Sequence, residues 1–319
     1  MADYDILIKG GTIVDGTRTP RYVSDVGIKD GKISQIGGIG NSTADKVDVN
    51  LGDGLARDED GNTTLRAAIM EVNALGLAST IILPAGIFPL SIAGTGEDDA
   101  ATGDLDIKSE VVIAGKGSGS TIISADHLDR VFQIVSGASL DLSHVTVRDG
   151  EADVGGGFQN DGNLILRSAE VTLNEATSTH GGGIHNTSQL TVIESVISGN
   201  TAENHGGGLR NETGATASIT DTLFTSNHAH AGGGISTVGT LSLVGSTLSN
   251  NTADTGNIPD EGYGGGIMND NNASGNTTII NSTVTGNRAS AGGGIFNNSK
   301  DGRELNVFST TITNNTSTS

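Results

Sequence analysis

The sequence predicts an all-β chain wound into a parallel β-solenoid, and three observations predict it. A GGG-hydrophobe signature recurs six times, as GGGFQN, GGGIHN, GGGLRN, GGGIST, GGGIMN and GGGIFN, with triplets starting at Gly155, Gly181, Gly206, Gly232, Gly264 and Gly292. Successive starts lie 26, 25, 26, 32 and 28 residues apart, a period that suits one coil of a solenoid in which each turn touches only its neighbours. The composition agrees: 49 glycines, six Phe, three Tyr and no Trp among 319 residues describe a turn-rich β protein with an aliphatic core. Alignment of the coils on their closing asparagines supplies the third observation, because it stacks apolar residues in columns.

The elements follow in chain order. Residues 1–50 form a small β module: YDILIKGGTIVDG and VGIKDGKISQIG alternate apolar and polar residues around Gly10-Gly11 and Asp30-Gly31, which predicts two hairpins. Residues 51–79 are a linker and a capping helix. Asn62-Thr63-Thr64 offers an N-cap to LRAAIMEVNAL and Gly76 a stop, with Leu65, Ile69, Val72 and Leu75 near one face to cover the open end of the solenoid.

Residues 80–319 are the solenoid. One inward column reads Leu140, Leu164, Leu190, Ala217, Leu241, Thr277 and Leu305; a second, two residues on, reads Leu142, Leu166, Val192, Ile219, Leu243, Ile279 and Val307. Val147, Val171, Ile197, Phe224, Leu248, Val284 and Ile312 make the third. Asn174, Asn200, Asn227, Asn251, Asn287 and Asn315 form an asparagine column, and Asn160, Asn186, Asn211, Asn269 and Asn297 another; stacked amides of this kind satisfy backbone at corners. The triple glycines are read as corners whose φ values or close contacts forbid a Cβ.

The stretch from Gly61, DGNTTLRAAIMEVNA through TIILPAGIF, GDLDI, VVIAGKG and STIISA to the GGGI repeats, resembles the bacterial CSLREA-type parallel β-helix family and the repeats of polymorphic outer-membrane and adhesin-like proteins. That resemblance implies a right-handed β-helix, exported or displayed on a surface, and transfers no catalytic residues. The family's namesake Cys and Glu are Thr63 and Ala67 here. Residues 4–37 are similar to the N-terminal β module of D-aminoacylase-type amidohydrolases. No HxH pair follows the module at the place the family has it: the first histidine is His127, and His228-Ala229-His230 lies far downstream on a solenoid corner, so the metal barrel that resemblance implies lacks its ligands.

A formal charge of −20 opposes nucleic acid and anionic membrane surfaces as partners. No run of 18 apolar residues predicts a membrane span. Absence of cysteine removes disulfides and thiolate chemistry.

Binding residues are expected first in the insertion that lengthens one coil to 32 residues, NTADTGNIPDEGYGGG, at Asp254, Asp260, Glu261 and Tyr263. His185 and Arg210 share an outward position beside Gln159 and form a second candidate stripe. Glu97, Asp98, Asp99, Asp104 and Asp106 gather hard oxygen ligands of the kind that hold Ca²⁺, although their spacing matches no ordered calcium loop; no other cofactor is expected. His180 and His205 precede consecutive triplets, with His228 and His230 near the next corner. Zinc is one reading; hydrated corner histidines, favoured because no carboxylate recurs to complete a ligand set, is the other. The pairs Thr247/Ser249, Thr283/Thr285 and Thr311/Thr313 suggest an ice-binding face, but Glu170, Val196 and Leu223 break it and β-propensity explains them better.

The expected function is a noncatalytic surface or extracellular module acting by structure, adhesion or binding, with a glycan or a protein surface as ligand. A carbohydrate-active β-helix enzyme, either lyase or hydrolase, is the alternative, set back by the lack of paired acids on strands and of Trp. A remnant amidohydrolase acting on C–N bonds is the third reading. The terminal TITNNTSTS reads as an uncapped coil, which predicts a longer parent chain or end-to-end self-association.

Overall fold

A computed structural model of the chain describes residues 6–13, 22–29, 32–36, 44–254, 262–270, 275–298 and 304–318. Near the N-terminus, Ile6–Ile13, Tyr22–Lys29 and Lys32–Ile36 pair as an antiparallel three-stranded sheet, but the hairpin expected around Gly10-Gly11 does not form. Gly10-Gly11 is not a turn. It lies inside the first strand, where the pairing register shifts between Ile8 and Gly11, the mark of a β-bulge. Asp30-Gly31 falls outside the described residues.

The remainder is a parallel β-solenoid. Among the described residues its strands stack into four sheets, nine, nine, seven and eight strands deep. The first sheet runs from Ser79–Ile82 to Leu305–Phe308, the second from Gly86–Pro89 to Thr311–Thr313, the third from Glu151–Ala152 to Thr316–Ser317, and the fourth from Leu105–Ile107 to Ile295–Asn297. All three aliphatic columns appear in the register predicted for them, Leu140 opposite Leu164, Leu142 opposite Leu166 and Val147 opposite Val171, and onward coil by coil. Their members are buried except in the last described coil, where Val307 and Ile312 are exposed.

Two further inward columns were not anticipated. Leu105, Phe132, Phe158, Ile184, Leu209, Ile235 and Ile267 stack along the fourth sheet, all fully buried. From Phe158 onward these are the hydrophobes of the GGG signature itself, so the signature marks core as well as corner. On the narrow third sheet the inward column is alanine: Ala152, Ala176, Ala202, Ala229, Ala253 and Ala289. A two-residue strand between corners leaves space for a methyl group and little more.

The glycine triplets obey two constraints. The first glycine of each has positive φ, between 62° and 72°. The second and third lie where coils touch: a Cβ on Gly182 would stand 2.2 Å from the Thr201 carbonyl, and one on Gly183 2.7 Å from that of Gly208. A separate corner, just before the asparagine ladder, also needs positive φ, and the chain supplies Leu173, Gly199, Ser226, Asn250, Gly286 and Asn314 there.

The helix spans Leu65–Leu75, with Thr64 Oγ1 accepting from the Ala67 N–H and Gly76 left-handed at φ 62°. Leu65, Ile69 and Val72 are buried against the core as expected; Leu75 is exposed. What anchors the helix is Arg66, buried and absent from the apolar pattern. Its guanidinium pairs with Asp45 at 2.5 Å and donates to the carbonyls of Ala100, Gly103 and Asp104 at 2.9, 2.7 and 3.1 Å. Asp45 also accepts from the Ser91 and Ile92 N–H groups, so helix, linker and the 91–104 loop share one buried ion pair.

Candidate functional site

The middle residue of each fourth-sheet strand points away from the aliphatic core, and parallel register stacks these residues in one stripe: Asp106, Gln133, Gln159, His185, Arg210, Ser236, Met268 and Phe296, of which Asp106, Arg210, Ser236 and Met268 are buried. A second row runs beside it at the corner before each triplet, where His180 bridges His205 and Ala231 bridges Tyr263. Sequence order therefore brings His185 and Arg210 together, with Tyr263 on the flank.

Arg210 is the centre of the stripe. Its Nε and Nη2 grip Glu212 at 2.9 and 3.2 Å in a two-pronged contact, and Nη1 donates to Ser236 Oγ at 2.8 Å. His185 Nε2 lies 3.3 Å from the same Glu212 carboxylate, while its Nδ1 is buried without a hydrogen bond. Burial pushes the Glu212 carboxyl up, but hydrogen bonds from His185 and Arg210 outweigh it and hold the group well below the usual range. Glu212 was missed in the sequence reading, although a residue two positions after Arg210 must return to the same face.

His180 and His205 pack edge to face, ring centroids 4.8 Å apart, with their Nδ1 atoms 3.3 Å from each other. Burial, reinforced by the nearby Arg210 charge, lowers both, His205 to about 4, so both imidazoles are neutral at neutral pH. Tyr263, 39% exposed, sits 6.4 Å from the His230 ring and 5.0 Å from Phe296, extending the row with aromatic surface. Of the insertion, Asp254 pairs with His228 Nε2 at 2.8 Å; Asp260 and Glu261 lie outside the described residues.

The acidic loop is arranged differently from the predicted ligand set. Glu97 caps the Asp99 and Thr102 N–H groups, Asp99 pairs with Lys108 at 2.6 Å, and Asp106 accepts from the Ala100 N–H, while Asp98 faces solvent. The carbonyls that could complete an oxygen cage converge on Arg66, a cation supplied by the chain itself. Burial, then the charge of Asp106, raises Asp104 to about 8 against the pull of Arg130, whose Nε lies 3.3 Å away without hydrogen-bond alignment. Burial raises Asp106 to about 6, helped by Glu97 and Asp98. Among the described residues no three His, Asp or Glu side chains gather as a metal-ion site.

A shallow depression of about 240 Å³ at the capped end is lined by Asp45, Lys46, Val47, Val49, Glu59 and Ile92, and its Lys46 is already paired with Glu59 and Asp60. No described helix is long and apolar enough to cross a membrane. No protein-family model matches the chain, and no curated protein or solved structure shows significant similarity to it.

Proposed function

We propose that the protein is a noncatalytic binding module of the surface or extracellular type, and that it holds a glycan along the fourth-sheet stripe. The observation that carries this reading is the stripe's composition. Coils that are uniform inside and at their asparagine corners vary along this one line, from glutamine at Gln133 and Gln159 through His185, Arg210, Ser236 and Met268 to Phe296, and Tyr263 and Phe296 add ring surface beside fixed donors and acceptors. Amphipathic rings beside immobilised polar groups suit the alternating faces and hydroxyls of a sugar. A strongly acidic chain favours a neutral glycan over a uronate.

The enzymatic alternative has less support. The two described carboxyls raised furthest, Asp104 and Asp106, are 3% and 0% exposed; Asp106 stands in register with Gln133 at one end of the stripe but is closed off from solvent, whereas acid catalysis needs a group within hydrogen-bond reach of the substrate.

A panel of neutral and acidic oligosaccharides, read by calorimetry and by product analysis, tests the proposal. Binding to a neutral glycan without chain shortening is expected, with affinity reduced roughly tenfold in Tyr263→Ala, as for a buried aromatic contact. Depolymerisation of any member, or binding that Tyr263→Ala leaves unchanged, overturns it.

A further inference from the structure

His180 and His205 occupy the same position on consecutive coils, joined by a parallel bridge and by the hydrogen bond from the Gly181 N–H to the His205 carbonyl at 2.9 Å. The backbone thus sets the two residues side by side, and their Nδ1 atoms stand 3.3 Å apart in a ring-to-ring hydrogen bond, so a bound ion would take the place of the shared proton, with the N–H shifting to Nε2. Two nitrogens bound to one tetrahedral ion at the usual zinc–nitrogen length are separated by about 3.3–3.4 Å. The pair already has the edge length of half a coordination tetrahedron.

From this geometry we infer that His180 and His205 form a two-imidazole site for a divalent transition-metal ion of the zinc type. The charge around it permits one. Arg210 is the charge that acts most strongly on the pair, and its guanidinium is already gripped by Glu212 in the two-pronged contact that also reaches His185. His230 and Glu212 also act on His205, and Glu212 and His185 on His180. Both rings are half-buried at a corner whose following glycines have no side chain to crowd an ion. Among the described residues no third His, Asp or Glu joins the pair in a ligand set, so the remaining positions go to water or to a donor atom of a bound ligand, the pattern of an open rather than a closed structural site. Borderline imidazole donors select zinc-type ions over calcium or magnesium.

Equilibrium dialysis of the full chain against Zn²⁺ alone, with metal quantified by mass spectrometry, tests the site. One equivalent is expected, undisturbed by excess Ca²⁺. His205→Ala and the milder His205→Gln each lower affinity at least about tenfold, as does His180→Ala, while His127→Ala and His144→Ala retain the equivalent. Circular dichroism confirms that each variant keeps its fold. Less than half an equivalent bound by the native chain, or binding that survives in the His180→Ala/His205→Ala double variant, overturns the inference. Neither outcome depends on glycan binding, which Tyr263→Ala reports separately.

Discussion

Two stacks of polar side chains run along this solenoid, and they behave in opposite ways. In the asparagine ladder from Asn174 to Asn315 every coil repeats one residue and one set of bonds: Nδ2 donates to the next Oδ1 at 2.9–3.0 Å, and that same oxygen accepts the backbone N–H of the preceding asparagine. In the stripe from Gln133 to Phe296 the stacking geometry is the same and no chemistry persists. The ladder is buried and satisfies backbone groups that have no other partner, so one side chain fits each time. The stripe lies on the outer side of its sheet, with Arg210, Ser236 and Met268 buried and the glutamines, His185 and Phe296 partly exposed, and it leaves its backbone to the sheet. Parallel stacking by itself imposes no residue; burial of an unpaired N–H does.

The largest expected effect tests that contrast. Asn200→Ala removes an acceptor for the Asn174 N–H and Nδ2 and a donor to the Val171 carbonyl and Asn227, all buried. Each orphaned group costs about 1–3 kcal/mol, so a loss of roughly 3–5 kcal/mol is expected in urea unfolding. Gln159→Ala on the stripe should cost under about 1 kcal/mol. Equal losses at the two positions would dissolve the distinction.

Next in size is Gly182→Ala, whose methyl would meet two backbone carbonyls, those of Thr201 and Gly207, at 2.2 and 2.7 Å. Neither can swing away as a side chain would, and a destabilisation of about 2–3 kcal/mol is expected. Gly214→Ala, with nothing within 4 Å but a φ of 83°, should show only the backbone penalty of about 1 kcal/mol.

Acidity sharpens the picture at the capped end. Asp104 and Asp106 titrate in the folded protein near 8 and 6, above the ordinary carboxyl range, so the stability they contribute is complete below about pH 4 and is lost as pH rises through those values. Asp104→Asn should therefore raise the melting temperature at pH 8.5 and change it little at pH 4. A gain that is the same at both pH values would remove burial of a charge as the cause.

The smallest effect is a gain. Leu173 is 54% exposed and left-handed at φ 57°, at a corner where the neighbouring coils use Gly, Ser or Asn. Leu173→Asn should stabilise by about 1 kcal/mol in the same urea titration.

Much of this was legible in the sequence because its cause is local and repeats. Alternation places the aliphatic columns, and Thr64 and Gly76 bound the helix, since both depend on neighbours along the chain. The alanine column and the Arg66–Asp45 anchor were not legible: the first depends on how closely two corners approach, and the second joins residues 21 positions apart through a loop 34–38 positions further on. For the stripe, the sequence placed His185 beside Arg210 and gave no sign that Glu212 would bind both. The acidic loop reads as ligands when only its composition is known. Its carbonyls turn to Arg66 once the helix is docked.

The asparagine ladder also has a direction. In every step the amide nitrogen points toward the C-terminal neighbour and the oxygen toward the N-terminal one, and the second ladder repeats this at Asn160, Asn186 and Asn269. Side-chain dipoles aligned head to tail add and polarise one another. The solenoid thus has an electrical polarity along its axis, with the positive pole toward the later coils, although its four sheets have little net dipole of their own.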